Sequence, residues 1–493
     1  MPRCLGLFML FFVNTFSFLL AAKGALAYDL KKVKAFGLEL LWEKELEDVS
    51  FYARAGHPAD ACLRFSKNGK MLALGTFTGR LMLFSAESGR LIWEKRVPEG
   101  MVKRVAFSED GRVLYYGAQS PDAEVCALET KTGKRLWCFN TAKSLERGTP
   151  AAPGDIYGVY KLPGIYRLKV LPGGDLLVLG LHSWYDEKKS TWRRLSRLWR
   201  LSPAGQVRWA YPKDGPAPVT MIYADADHKG QVVATVTLMP SEYEGDRQKP
   251  GPPPQSFVAL SGRSGKEIFI YQLTPLKPYF KRVSAWESVA VSPDGHFGAL
   301  GASDGRLFIF DLKAKRLLHT LNLATPIVIG GFPVAASLSY GTFGANSIFY
   351  VVSGESTLPY GLPMAGDKPA GPHPKARMLF AVEPASAKVL WQFPSPFKLQ
   401  GVALDPQGKT LAVAAAAFRR EDVRVRQFGV LVFDLTRPGG GLTRFAGYFP
   451  TLGPCFFHLA VSPDSRLIAV VENPWRDEIG RMFGSYRLLV LKR

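Results

Sequence analysis

One short pattern recurs down the chain: a few apolar residues, a turn of Ser, Pro, Asn, Asp and Gly, and then a second apolar run. It reads FSKNGKMLALG at 65–75, FSEDGRVLYYG at 107–117, VLPGGDLLVLG at 170–180, VSPDGHFGALG at 291–301, LDPQGKTLAVA at 404–414 and VSPDSRLIAVV at 461–471. Degenerate copies are ADADHKGQVVATV at 224–236 and YGTFGANSIFYVV at 340–352. The tip residues supply tight turns and the flanks supply strands, so each copy reads as a β-hairpin. This recurrence constrains the fold more than any other property. A unit so small cannot bury its apolar face alone and has to stack on its neighbours.

A second hairpin closes each unit: an apolar strand, a turn with Gly or Ala, and a strand that usually carries an aromatic residue. It is seen around Trp93, Trp137, Trp209, Phe269, Leu318, Trp391 and Phe445. The eighth copy is divided. SYRLLVLKR at 485–493 supplies its first strand, and GLELLWEKEL at 37–46, with Trp42, supplies its second. Two motifs found eight times each predict an all-β fold, an eight-bladed β-propeller of four-stranded antiparallel blades. The divided copy predicts ring closure, with the N-terminal strand completing the last blade and leaving only short, protected edges. Residues 28–493 are expected to form this one domain.

The closing motif, clearest in ALETKTGKRLW at 127–137, resembles the quinoprotein-type (PQQ-like) repeat, and the SPDG hairpin resembles the WD-like repeat. The resemblance spans nearly the whole mature chain and implies a fold rather than a function, since propellers host enzymes, scaffolds and receptors alike. Quinoprotein dehydrogenases are similar in repeat and blade number, and that resemblance would imply vicinal cysteines beside the quinone and a calcium ligand set. The vicinal cysteines are absent from this sequence and the ligand set is not matched. No cofactor is therefore expected. The resemblance in function is to non-enzymatic envelope proteins, such as the propeller subunit of the outer-membrane β-barrel assembly machinery, although this chain lacks that subunit's lipobox cysteine.

Residues 1–27 read as a secretory signal peptide. Arg3 gives a basic start, an apolar stretch runs from Leu5 to Ala22, and Ala25-Leu26-Ala27 offers a small-residue cleavage site before Tyr28. No later stretch is apolar enough to span a bilayer. Here the charge matters. The formal net charge of +21 becomes +19 once Arg3 and Lys23 are removed. In a periplasmic or extracellular protein such an excess points away from nucleic acid. It points to an acidic protein partner or a multiprotein envelope complex, with anionic glycan or lipid as alternatives. The mature chain has no N-x-S/T sequon, which favours a bacterial envelope.

The long insertions fall between the second and third strands of a blade or between blades. Strand alternation places both kinds of connection on one face, and long loops on a rigid scaffold are where binding resides. Arg interleaved with aromatics is the composition of interaction hot spots and anion recognition. Three segments have it: 182–199 with Trp184, Tyr185, Trp192, Arg193, Arg194 and Arg197; 418–428 with Arg419, Arg420, Arg424 and Arg426; and 474–483 with Trp475, Arg476 and Arg481. These are the expected partner-binding residues. The loops 247–255 and 357–376 are rich in Pro and Gly.

No catalytic residue and no metal site is expected. The sequence holds no CxxCH, no HExxH and no Cys/His cluster with zinc spacing. Among the seven His residues, His458, at the start of an inner strand, is the one to inspect as an axial ligand. Four cysteines remain after cleavage. Cys126 and Cys138 flank one turn and are disulfide candidates; Cys62 and Cys455 start neighbouring inner strands at the ring seam and are a second candidate pair. The leading functional expectation is a non-catalytic binding or scaffold subunit. The alternative is a quinone-dependent oxidoreductase, or a glycan-binding or glycan-processing enzyme, using the axial funnel.

Overall fold

The computed structural model describes residues 35–493 apart from 52–57, 151–154, 156–157, 189, 239–242, 245–246, 249–254, 281, 358–370, 417–427 and 477–479. The expected signal peptide and the arginines 419, 420, 424 and 426 lie outside the described residues.

One local device shapes the repeated hairpins. Ser66 donates to Asn68 (2.8 Å), Ser108 to Asp110 (2.7 Å), Ser292 to Asp294 (2.6 Å) and Ser462 to Asp464 (2.6 Å). The same hydroxyls accept the N–H of Met71, Val113, Phe297 and Leu467 at the start of the returning strand. In the copies at 224–236 and 404–414 a carboxylate replaces the hydroxyl: Asp227 accepts from Gln231 and Val232, and Asp405 from Lys409 and Thr410. The turn ends in a left-handed residue, Gly69 at φ 70° and Gly111 at 71°, and Ser465 takes the same conformation at 63°. Glycine adopts it without a Cβ clash, which is why the motif carries one there.

Antiparallel pairing groups most strands in fours, from the innermost outward; the second and third groups are linked into one sheet by Gly164↔Gln119, and Ile327–Ile329 adds a fifth strand to one group. Blade one is Ala61–Phe65, Met71–Thr76, Arg80–Ser85 and Leu91–Arg96; blade two is Met101–Phe107, Val113–Gln119, Glu124–Glu129 and Arg135–Asn140. Blade three is Gly164–Val170, Leu176–Asp186, Thr191–Leu201 and Val207–Tyr211; blade four is Ala224–Ala226, Val232–Thr237, Ser256–Ser261 and Glu267–Gln272. Val289–Val291, Phe297–Gly301, Arg306–Asp311 and Arg316–Asn322 form the next, followed by Phe332–Phe343, Phe349–Thr357, Met378–Glu383 and Lys388–Pro394. Leu399–Leu404, Thr410–Ala415, Phe428–Asp434 and Phe445–Thr451 precede the last blade. That blade takes Cys455–Val461, Leu467–Glu472 and Arg487–Lys492 from the C-terminus and Glu39–Glu45 from the N-terminus, with Trp42 opposite Val490. The inner strand Cys455–Val461 packs back against Ala61–Phe65, which closes the ring. The fold is the expected β-propeller.

The core lies in layers between successive sheets. The seam layer joins Leu63, Leu72 and Phe84 of blade one to Ala469, Val471, Leu488 and Val490 of the last blade. Each sheet is apolar on both faces because it is covered on both, and only the outermost strands are broadly exposed. The closing aromatics fasten each blade to the next. Trp93 donates to the Thr130 carbonyl (2.8 Å), Trp137 to Pro203 (2.9 Å) and Trp209 to Gly262 (2.7 Å). In the fifth copy His319, opposite Ile309, takes the role expected of Leu318: its Nε2–H donates to the Ala385 carbonyl of the next blade at 3.1 Å.

Cys126 and Cys138 face each other in register and are joined by a disulfide. The second expected pair is not formed: Cys62 and Cys455 are buried free thiols. Strand alternation separates them. Cys62 sits in the layer between blades one and two, its Sγ 3.4 Å from the Val102 carbonyl, whereas Cys455 lies in the layer on the other side of the last blade, its Sγ 3.5 Å from the Thr451 hydroxyl.

Candidate functional site

The strand order fixes the geography. Connections between second and third strands, and those between blades, share one rim; the hairpin tips share the other. The largest described feature of the decorated rim is the hairpin of blade three. Its two strands, Leu176–Asp186 and Thr191–Leu201, each run for 11 residues and pair without interruption from Leu176↔Leu201 to Asp186↔Thr191.

The base of this hairpin is built into the propeller. The His182 ring is buried between the Leu145 carbonyl (Nδ1, 2.8 Å) and the Lys161 carbonyl (Nε2, 3.1 Å), and stacks on Trp184 with ring centroids 4.1 Å apart. Burial holds the His182 pKa below the usual histidine value despite those carbonyls, so near neutral pH its neutral form is favoured. Arg197 donates to the Pro212 carbonyl (3.1 Å), the Ser144 hydroxyl (2.9 Å) and the Lys213 carbonyl. Its role is to clamp two interblade connections, and its donors are not presented to an outside ligand. Trp199, further down the strand, is core and packs edge-on against Phe139.

The tip differs. Tyr185 and Trp192 are 45% and 40% exposed and meet edge to face at 5.9 Å. Arg193 lies over the Trp184 ring at 5.1 Å; Arg194, expected at the partner surface, is instead buried, its guanidinium 5.9 Å from the Trp192 ring. Two acidic groups stand beside Arg193, Glu146 at 3.9 Å and Asp186 at 4.0 Å. The insertion of the last blade repeats the composition on a smaller scale. Trp475 pairs with Phe483 and packs edge-on against Phe428 at 5.7 Å, Arg476 pairs with Met482, and Arg481 lies over the Phe483 ring at 5.5 Å.

A further regularity was not visible in the sequence. Among the described residues, most of the exposed large apolar side chains fall in two places. One set, including Leu40, Leu91, Leu136, Val207, Ile270 and Leu390, lies on outermost strands. The other set, Phe51, Tyr185, Trp192, Trp286, Ile327, Val328 and Leu452, lies on connections of the decorated rim. On the opposite rim the corresponding residue is Leu442. Repeat alignment finds the loops; exposure is a property of the folded surface.

At the axis the inner strands place charge where the neighbouring layers are apolar. Asp60 pairs with Lys103, and the buried His458 has Nε2 3.6 Å from Asp60 Oδ1 while accepting the Ala61 N–H at 3.1 Å. Burial alone would raise the Asp60 pKa; Lys103 and His458 outweigh it and hold the carboxyl well below its usual range. The Asp60–Lys103 ion pair joins blade one to blade two, and His458 of the last blade is buried beside it on the Ala61 N–H. The one grouping with metal-like spacing among the described residues is Glu124, Cys126 and Cys138, whose sulfurs are already joined to each other.

These features can be set beside known proteins. A family model described as outer membrane protein assembly factor BamB (PQQ_2) matches residues 31–212. The quinohemoprotein alcohol dehydrogenase of Comamonas testosteroni superposes with a TM-score of 0.57 at 14% identity, covering 92% of this chain and 76% of that one. The chain is a PQQ-like, WD-like β-propeller. The C-terminal WD40 domain of Sif2 gives a TM-score of 0.53 at 13% identity, covering 92% of this propeller and 98% of that domain. No curated protein sequence matches the propeller.

Proposed function

We propose that this propeller is an exported, non-catalytic binding subunit that docks an acidic partner of an envelope assembly on its decorated rim. The observation that carries the reading is the gathering of exposed aromatic and aliphatic side chains on the decorated rim, against Leu442 on the other, with Tyr185 and Trp192 at the tip of the blade-three hairpin. Isolated surface apolar residues need no explanation, but a set gathered on the connections of one rim is the pattern of an interaction surface. Arg193, over the Trp184 ring beside them, suits a partner that brings carboxylates. The apolar leader at 1–27 and the match to an outer-membrane assembly factor model support an envelope location. No helix among the described residues is long and apolar enough to cross a membrane.

Photo-crosslinking in the native host tests this directly, with the probe at position 192 or 328 on the decorated rim and at 442 on the other. The reading expects a discrete adduct from the first two sites and none from the third. Equal labelling from both rims, or none from 192 and 328 in folded protein, would refute it.

A further inference from the structure

The inner strands can be superposed on their shared turns, because Phe65↔Leu72, Phe107↔Leu114, Val170↔Leu176 and Ala226↔Val233 are the equivalent closing pairs. Counted back from that pair, the residue one position earlier is Arg64, Ala106, Lys169 and Asp225 in blades one to four. Three positions earlier stand Cys62, Arg104, Arg167 and Tyr223. The residue one position back in the last two blades is Ala403 and Ala460. At the positions compared, the charge is contributed by blades one to four.

That charge does not balance. Arg167 Nη2 and Lys169 Nζ share a single carboxylate oxygen of Asp225, at 2.9 and 2.8 Å. Arg104 pairs with Glu287 at 3.2 Å. Arg64 has no ion pair among the described residues, and it is the exposed position of a strand that is otherwise buried. Four cations thus face two carboxylates. The buried Nε–H of Arg167 has no hydrogen-bond acceptor. Burial lowers the Arg64 pKa, and Arg167 and then Arg104 push it the same way. The Arg64 side chain is nonetheless exposed, so its guanidinium can meet an anion that enters from solvent.

We infer that the axial channel binds a small dianionic oxyanion, of the phosphate or dicarboxylate class, held by the exposed guanidinium of Arg64, with Arg167 beside it adding positive field. Arg104 and Lys169 add positive field. A dianion matches the excess of two charges, and the planar donors of guanidinium suit paired oxygens. This site is separate from the rim surface and does not depend on it.

Calorimetric titration of the mature protein at low ionic strength with inorganic phosphate, and separately with succinate, tests the inference and distinguishes the two ligand types. Saturable binding of at least one is expected. Arg64→Gln should weaken it by roughly tenfold or more, the worth of a charged hydrogen bond. Arg112→Gln, on an exposed turn, should leave it unchanged. No saturable binding of either anion, or equal binding by Arg64→Gln, would overturn the site. If Arg64→Gln does not fold, wild-type crystals soaked in tungstate decide the matter: density at the Arg64 guanidinium supports the site, and its absence there overturns it.

Discussion

Trp42 Nε1–H donates to the Ala86 carbonyl across 2.8 Å, linking the N-terminal strand of the last blade to the outer turn of the first. The indole also lies flat against Gly89, where an added Cβ would fall 2.7 Å from the ring. The contact repeats the Trp93–Thr130 and Trp137–Pro203 contacts. Here it holds the seam where the two ends of the chain meet.

Trp42→Phe should therefore cost about 1 kcal/mol through the lost hydrogen bond, and Trp42→Ala about 2–4 kcal/mol because the half-buried ring goes too. Gly89→Val should also destabilise, since φ at Gly89 is +68° and the indole leaves no room. Urea unfolding midpoints check the order. A Trp42→Ala midpoint at or above wild type would show that the seam does not rely on this contact.

Acid should weaken the axis. The folded-state pKa of Asp60 is depressed: burial acts against ionisation, but Lys103 and His458 prevail. The sign follows: its contribution is present above the unfolded aspartate value of about 4 and is lost as pH falls below it. Asp60→Asn strands Lys103 and should cost about 3–5 kcal/mol at neutral pH. Measured across a pH series, the gap between variant and wild type should narrow below about pH 4. A gap independent of pH would remove Asp60 from the acid response.

Most of the architecture was legible because it is written in repeats. The Ser–Asn and Ser–Asp clasps at 66–68, 108–110, 292–294 and 462–464 are local, so each hairpin declares itself within a few residues. Ring closure was legible because the divided motif placed Trp42 opposite the last strand. Side-chain direction was harder to read. Cys62 and Cys455 start neighbouring inner strands, yet they point into different interblade layers. Arg197 has the composition of a contact residue but spends its donors on the Ser144, Pro212 and Lys213 connections, which are distant in sequence until the blades assemble. Arg64, Arg167 and Lys169 carry no motif of their own. They stand out only when the inner strands are superposed, because Arg64 and Lys169 then fall where the last two blades carry alanine, with Arg167 two residues before Lys169.

The thiols should behave as two classes. Burial pushes the Cys62 pKa up to about 12 and raises that of Cys455 as well, which suppresses the reactive thiolate. Native mature protein should resist maleimide at neutral pH. Unfolding without reductant should release two reactive groups, and unfolding with reductant four. The disulfide spans 12 positions, so loop-closure entropy limits its contribution to about 3 kcal/mol. Replacing Cys126 and Cys138 by Ala should lower stability by no more than that. Four maleimide adducts on unfolding without reductant would mean that the pair is not formed.

The blade-three hairpin separates fold from recognition within a few residues. Arg197 at its base satisfies the Pro212 and Lys213 carbonyls and the Ser144 hydroxyl, so Arg197→Ala should cost about 2 kcal/mol and loosen both connections. Trp192 at the tip is 40% exposed and packs on Tyr185 and Arg194 alone among its described ring contacts, so Trp192→Ser should change stability by less than about 1 kcal/mol. The order reverses for partner capture: Trp192→Ser should abolish the crosslinked adduct formed from position 328, while any loss in Arg197→Ala should follow its loss of folded protein. Thermal denaturation and crosslinking yield, measured on the same two variants, give the comparison. If Trp192→Ser unfolds the protein, or leaves the adduct untouched while folded, the tip is structural and the binding surface lies elsewhere on the rim.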